Sequence, residues 1–118
     1  MGYYSDVSIA TTEEGYERIA RCCDALGLEH PLLSSDAKPD FVNRHEGCVL
    51  FGWQGVKWYE GAAEVDAVMS ALASLKGDGV PVMLVRTGED WGDIEAFGSS
   101  EGLTVYPEPV VGIEAVYN

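Results

Sequence analysis

Residues 48–59 read Cys-Val-Leu-Phe-Gly-Trp-Gln-Gly-Val-Lys-Trp-Tyr, and this stretch decides the fold of the chain. It holds two of the three tryptophans and leads directly into the strongest helix signal in the sequence. Apolar residues would occupy both faces of an extended strand here, which is typical of a strand inside a sheet. We therefore predict the central strand of one small domain, with Gly52 and Gly55 permitting a bulge or bend.

The chain before this stretch predicts a strand, a helix and a second strand. Residues 3–10 alternate between two faces, as in a strand with one buried face. Thr11 is the predicted N-cap of a helix that Gly27 ends. Residues 41–44 predict a short strand that forms a hairpin with residues 48–59.

The chain after this stretch predicts a second helix and a fourth strand. Glu60 opens the helix, Gly77 ends it, and residues 80–86 are rich in β-forming side chains. The order strand, helix, strand, strand, helix, strand predicts an α+β, ferredoxin-like β-α-β-β-α-β fold. Its usual outcome is an antiparallel sheet with both helices on one face.

The last part of the chain predicts C-terminal extra strands, which would extend the sheet or fold across its open face. The candidate strands are residues 91–98, 103–106 and 110–117. We therefore predict a single α+β domain over residues 1–118. Within it, residues 1–87 form the ferredoxin-like unit and residues 88–118 form a C-terminal β extension.

The charge of the chain is strongly negative. Twenty Asp and Glu face seven Lys and Arg, for a net charge of -13. Phosphate contacts come from Lys and Arg, so we expect no direct nucleic-acid binding and no binding to an anionic membrane. Residues 77–118 hold eight of the acids and only Arg86 as a base. An acidic protein attracts basic partners, so we expect a basic protein surface as the partner.

No catalytic, metal-binding or phosphate-binding motif is recognisable in the sequence. His30 and His45 lack partners at ligand spacing, and Cys23 lies on the apolar stripe of the first predicted helix. We expect no catalytic residue, no metal and no cofactor. The odd cysteine count, with no signal-peptide pattern and no long apolar run, predicts a reduced, cytoplasmic protein.

Residues 89–95, Glu-Asp-Trp-Gly-Asp-Ile-Glu, place four carboxylates around a tryptophan. If the predicted C-terminal strands lie side by side, they would form one negative face. Its acids would be Asp93, Glu95, Glu101, Glu108 and Glu114. Exposed tryptophan is enriched at interfaces. The candidate partner-binding residues are Glu89, Asp90, Trp91, Asp93, Glu95, Glu101, Glu108 and Trp58. The alternative is that the charge serves solubility alone.

Three segments carry a resemblance to known proteins. Tyr-Tyr-Ser-Asp-Val at 3–7, Val-Leu-Phe-Gly-Trp at 49–53 and Val-Lys-Trp-Tyr at 56–59 resemble small uncharacterised proteins of bacterial prophages and other mobile elements. The resemblance covers about residues 3–95 and carries no catalytic residues. It implies a context in which small acidic proteins inhibit host defence, as anti-CRISPR and anti-restriction proteins do. Some of these present carboxylates in place of nucleic-acid phosphates.

Three functions remain open at this point. The leading hypothesis is a non-enzymatic inhibitor that binds a basic, nucleic-acid-binding surface of a CRISPR-Cas or restriction complex through carboxylates of the C-terminal third. The first alternative is a small-ligand-binding protein or enzyme with a pocket between the sheet and residues 28–39. The second is a homodimeric structural or regulatory subunit that associates through an exposed strand edge. Monomer and homodimer therefore both stay open.

Overall fold

The computed structural model describes residues 3–107 of the chain, which form strands and helices. The elements are β1 (Ser5–Thr12), α1 (Glu13–Leu26), β2 (Phe41–His45), β3 (Cys48–Val56), α2 (Ala63–Gly77), β4 (Val82–Gly88) and β5 (Ile94–Gly98). Over these residues the chain forms a mixed α+β unit with a five-stranded antiparallel sheet and two helices. The predicted order of the first six elements is confirmed.

The sheet has the strand order β2-β3-β1-β4-β5, with every neighbouring pair antiparallel. The strand β3 lies between β2 and β1, which agrees with its apolar side chains on both faces. The middle strand of the sheet is nevertheless β1, so the prediction that residues 48–59 form the central strand is wrong by one position. The reason is that β4 and β5 add to the far side of β1, which no local pattern in β3 could indicate.

A bulge interrupts β3 at the glycines that predicted one. Ser5 pairs with Val56 and Val7 pairs with Trp53, so β3 holds one extra residue in this interval. Gly55 lies there with a φ of 64°, a conformation that favours glycine. Gly52 has a different role, because a Cβ at this position would lie 1.9 Å from the Val7 carbonyl oxygen.

The first helix begins one residue later than predicted. The Thr12 hydroxyl caps α1 by accepting a hydrogen bond from the Gly15 N–H at 3.0 Å. Thr11 is instead a fully buried residue of β1, and its hydroxyl donates to the Pro81 carbonyl at 2.7 Å. The Thr11 hydroxyl therefore bonds to a residue distant in sequence and does not cap the N-terminus of α1. Gly27 ends the helix in the left-handed conformation, as predicted.

The main core lies between one face of the sheet and both helices. Aromatic rings form its centre: Tyr16 of α1 meets Phe51 of β3 edge-on at 4.9 Å, and Phe51 meets Trp53 at 5.9 Å. Apolar side chains from α1, α2, β1, β3 and β4 complete the cluster, including Ile19, Leu72, Ile9, Val49 and Leu84. The prediction that residues 48–59 supply the centre of the core is confirmed.

The opposite face of the sheet is partly covered by residues 103–107. Leu103 is buried there in a small cluster with Ala10 and Cys48. The predicted strand at 103–106 is wrong, because these residues cross the sheet face without joining a ladder of hydrogen bonds. The predicted strand at 91–98 begins only at Ile94. The predicted strand at 110–117 lies outside the described residues.

Gly52→Ala should lower the free energy of unfolding by at least about 2 kcal/mol, since the new methyl group collides with backbone of the neighbouring strand. Gly77→Ala is the matched control. A Cβ there meets nothing within 4 Å at the end of α2, so alanine should stabilise by up to about 1 kcal/mol. Urea denaturation of both variants measures this. Equal stability of the two variants would contradict the close approach of β3 and β1.

Candidate functional site

Two connections and one strand end come together at one end of the sheet. Residues 89–93 join β4 to β5 there, and residues 57–62 join β3 to α2. Because β1 runs antiparallel to both β3 and β4, its N-terminal residues reach the same end. The Tyr3 N–H accordingly donates to the Tyr59 hydroxyl at 2.6 Å. Aromatic residues from distant parts of the sequence thus lie beside the acidic segment.

Arg86 is the buried charge that organises this end of the sheet. It is 8% exposed, and on the helix side of the sheet it pairs with Val7 of β1 and Glu95 of β5. Its guanidinium donates from Nη2 to Asp93 Oδ1 at 2.8 Å and from Nε to Glu95 Oε1 at 2.5 Å. It also donates to the Ser5 hydroxyl at 3.0 Å. The hydrogen bond with Asp93 raises the pKa of Arg86 above its ordinary value.

Asp93 receives hydrogen bonds from two directions. Besides Arg86, the Tyr3 hydroxyl donates to Asp93 Oδ2 at 2.6 Å. The bond with Arg86, and then the bond with Tyr3, lower the pKa of Asp93 from its ordinary value of 3.8. The carboxylate is therefore ionised at neutral pH and remains so into acid.

The rest of the 89–93 segment is held by backbone groups. The Asp90 N–H donates to the Tyr3 hydroxyl at 2.9 Å, and the Glu89 carboxylate accepts from the Tyr4 N–H. The Gly88 N–H donates to the Asp93 carbonyl at 2.8 Å, which closes the turn. The segment is thus tied both to the residues just before β1 and to the end of β4.

The outer part of this segment carries a large exposed side chain that follows two acids in the sequence. Trp91 is 74% exposed, and Glu89 and Asp90 are exposed beside it. We call Glu89, Asp90 and Trp91 the acid–aromatic tip. Exposed tyrosines lie near it, because Tyr4 and Tyr59 contact the same network. A fixed tryptophan flanked by carboxylates is suited to contact a partner that carries both apolar and basic groups.

Only three of the predicted partner-binding residues share the tip. Asp93 and Glu95 instead bind Arg86, so they fix the segment and are not free acids. Glu101 follows the C-terminal end of β5 and therefore lies at the opposite end of the sheet. Glu108, like Glu114, lies outside the described residues. The prediction of one continuous negative face is therefore wrong for Asp93, Glu95 and Glu101, which are separated by ion pairing and by the length of β5.

Trp58 lies closer to the core than the tip residues do. It is partly buried and packs against the main core, with its ring 5.8 Å from that of Trp53. Its partial burial leaves less surface for a partner than Trp91 offers. Tyr59, next in the chain, is 41% exposed and holds the N-terminal residues through its hydroxyl.

Several residues of this site were missed by sequence reasoning. Tyr3, Ser5 and Arg86 are not among the candidates that the sequence indicates. Arg86 did carry a signal, because it is the only base among residues 77–118 and lies inside a β-rich run. A charge on a buried strand requires carboxylate partners. The tyrosines carried none, since their contacts join residues more than fifty positions apart.

The loop at residues 28–39 packs against the main core and the sheet. Leu33 is buried in the main core, and the Trp53 indole N–H donates to the Leu32 carbonyl at 3.3 Å. A cavity of about 270 Å³ lies between α1 and this loop, lined in part by Cys23 and Asp24. Burial raises the pKa of the Cys23 thiol to about 11, so this thiol is protonated at neutral pH and is a poor nucleophile.

Within residues 3–107, no three His, Cys, Asp or Glu side chains are placed so that they could hold a metal ion. Neither α1 nor α2, the helices found in that range, is long and apolar enough to cross a membrane.

No protein-family model matches the chain, and the searches of curated proteins and of solved structures gave no match either. The geometry of the acid–aromatic tip and of the network beneath it is therefore the basis for a proposed function.

Asp93→Asn should remove a pH-dependent part of the stability. Ionised Asp93 stabilises the fold above its ordinary pKa of 3.8, and this contribution is lost as the pH falls through the lower pKa of the folded state. The variant should therefore be less stable than the wild type at pH 7, and the two stability curves should converge in acid. Denaturant titrations from pH 7 down to strong acid measure this.

Glu17→Gln is the control for the pH series, because Glu17 is an exposed residue of α1. Its difference from the wild type should vary much less with pH. Wild-type and Asp93→Asn curves that stay parallel throughout would contradict a native-state bond between Arg86 and ionised Asp93.

Proposed function

We propose that this protein is a non-enzymatic interaction protein that binds a basic protein surface through the acid–aromatic tip. The observation that carries the proposal is the exposure of Trp91, 74%, on a segment that its neighbours hold in place. A tryptophan left in water on a fixed turn contributes little to the core. Burial against a partner would remove a large apolar surface from water.

The fixed geometry of the segment supports a binding role. Arg86, Tyr3 and Tyr4 hold the residues on both sides of Trp91 through side-chain and backbone hydrogen bonds. A loop that is ordered before binding loses less conformational entropy on association. Residues that dominate binding energies are most often tryptophan, tyrosine and arginine, packed at the centre of the contact. Trp91 would be such an anchor, and Tyr59 would lie at its margin.

The charge supports a basic partner. Among the ion pairs of residues 3–107, none engages Glu89 or Asp90, so no basic side chain neutralises their charge there, although Glu89 accepts a hydrogen bond from the Tyr4 N–H. The net charge of -13 provides a long-range attraction for a basic surface. Such attraction accelerates association and weakens as salt screens it.

A more specific proposal concerns the identity of the basic surface. Surfaces that bind nucleic acid are rich in Lys and Arg, and a carboxylate-bearing protein can occupy them in place of phosphates. The resemblance to small proteins of prophages and mobile elements supports a partner in a CRISPR-Cas or restriction complex, and hence a cytoplasmic site of action. Inhibition of that complex would be the biological outcome.

The same proposal extends to the fold. We propose that the first four strands and the two helices form a ferredoxin-like unit, with β5 added at the edge. Its support is the connection pattern: each helix joins two strands that run parallel with one antiparallel strand between them. This is the split β-α-β arrangement of that fold.

Trp91→Ala should weaken binding to the partner by at least about tenfold, because the anchor loses its side chain. Glu89→Gln with Asp90→Asn should chiefly slow association and flatten its salt dependence, since shape is kept and charge is removed. The partner is first captured from an extract of the natural host at about 0.05 M and about 0.5 M salt, and its binding to each variant is then measured by surface plasmon resonance.

Glu29→Gln is the control for loss of one exposed carboxylate outside the acid–aromatic tip, because Glu29 is exposed in the 28–39 loop. It should bind as the wild type does. Wild-type affinity in both tip variants would reject the proposed surface. Competition by duplex DNA for the captured partner tests whether this protein occupies a nucleic-acid-binding surface. If the partner binds DNA and this protein at the same time, the carboxylates do not take the place of phosphates.

A further inference from the structure

The strand β5 lies at one edge of the sheet that residues 3–107 form. It pairs with β4 on one side, and no strand in that range lies on its other side. Its residues are exposed except for the partly buried Phe97. Its sequence, Ile-Glu-Ala-Phe-Gly, holds neither the lysine nor the proline that commonly protects a sheet edge from another strand. This edge is therefore suited to accept a further strand.

The pairing of β4 with β5 fixes which backbone groups of β5 point away from the sheet. At one end of the pair the Gly88 N–H donates to the Asp93 carbonyl at 2.8 Å. At the other end the Ser99 N–H donates to the Val82 carbonyl at 3.1 Å. Hydrogen-bonded and unbonded pairs alternate along two antiparallel strands. The odd-numbered residues of β5 therefore turn their N–H and carbonyl groups toward β4.

The even-numbered residues of β5 turn their backbone groups to the outer edge. Ala96 presents both its N–H and its carbonyl there. Because the peptide unit is planar and trans, the Ile94 carbonyl and the Gly98 N–H point to the same side. The Ile94 N–H is already used, since it donates to the Gly92 carbonyl at 3.0 Å. The result is a short row of donors and acceptors centred on Ala96, which matches the hydrogen-bonding pattern of an antiparallel strand.

We propose that β5 binds an extended basic segment of the partner as an additional antiparallel strand. This inference rests on the proposed basic partner and specifies how that partner is held. An apolar side chain of the segment lies opposite Ala96, where it covers the exposed Ile94. A Lys or Arg of the segment lies opposite Glu95, whose side chain is 68% exposed although it bonds to Arg86. Beyond Ile94 the segment reaches the acid–aromatic tip.

The distribution of charge favours a basic segment over a second copy of this chain. Exposed acids flank β5 at both ends, with Glu89 and Asp90 before it and Glu101 after it. Each copy carries a net charge of -13, which opposes the pairing of two copies through the same edge. The other edge strand of the described sheet, β2, carries Arg44 and His45 and is less suited to a basic segment.

The test is amide hydrogen exchange, followed by nuclear magnetic resonance on the full chain. The probe is a blocked peptide of alternating Lys and Val, about seven residues long, which is the length of an ordinary strand. In the free protein the Ala96 and Gly98 amides should exchange rapidly. Saturating peptide should slow both at least about tenfold, because each amide gains a hydrogen bond. A peptide of alternating Glu and Val should slow neither. The Lys–Val peptide with N-methylated valines should also slow neither, since it keeps the charge and loses the donors.

Ala96→Pro tests the same edge in the protein. Proline removes the outward N–H and leaves the hydrogen bonds to β4, and sheet edges tolerate it. The variant should bind the Lys–Val peptide at least about tenfold more weakly than the wild type. Ala96→Ser, which keeps the N–H, should bind as the wild type does. The N-methylated peptide gives the same information with unchanged protein, so the test does not depend on the folding of the proline variant.

Several results would overturn strand addition. Slow exchange of the Ala96 amide in the free protein would mean that the edge is already paired. Slowing that increases with protein concentration, without peptide, would make the edge an interface between two copies. Equal slowing by the N-methylated peptide, or none by the Lys–Val peptide, would also reject the proposal.

The acid–aromatic tip is judged separately from the edge. Partner binding that is weakened by Trp91→Ala but not by Ala96→Pro would reject strand addition and retain the tip. Partner binding that is weakened by Ala96→Pro but not by changes in the tip would reject the tip and retain strand addition.

Discussion

The buried guanidinium of Arg86 is the interaction on which the candidate site depends. It lies at the end of the main core, where an unpaired charge would be costly, and three groups from separate segments satisfy it. Ser5 belongs to β1, Asp93 to the β4–β5 turn and Glu95 to β5. One cation thereby fixes the start of the middle strand, the turn and the edge strand relative to one another. The position of Trp91 follows from that arrangement.

The acidic residues of the last third consequently fall into two physical classes. Asp93 and Glu95 are bound to Arg86 and contribute to structure. Glu89 and Asp90 are exposed on the outer side of the same segment and pair with no basic side chain among residues 3–107. The net charge of the sequence counts both classes equally. The negative charge that is not neutralised by Arg86 is therefore smaller, and more localised, than the composition implies.

Residues 48–59 link the two faces of the sheet. Phe51 and Trp53 supply the aromatic centre of the main core on the helix side. Gly52, between them, lets β1 approach closely and leaves a hollow on the other side. The same alternation of side chains thus builds a packed face and an open one. The stretch supplies no chemistry of its own, but it determines where the remaining surfaces lie.

The sequence by itself determined what depends on neighbours along the chain. The periodicity of residues 3–10 and 48–59, the glycine that ends α1, and the apolar stripes of both helices are local signals, and the elements formed accordingly. The strand order, the engagement of Thr11 by Pro81 and the pairing of Arg86 with Asp93 were decided only by the tertiary structure. The physical reason is that the strand pairings and the bond between Thr11 and Pro81 join residues far apart in sequence. Arg86 and Asp93 are close in sequence, but their pairing depends on the burial of the guanidinium. The acid–aromatic tip shows both contributions. The sequence of residues 89–95 shows that acids and a tryptophan lie together there. Only the structure shows that Asp93 and Glu95 bind the buried Arg86, whereas Glu89 and Asp90 do not.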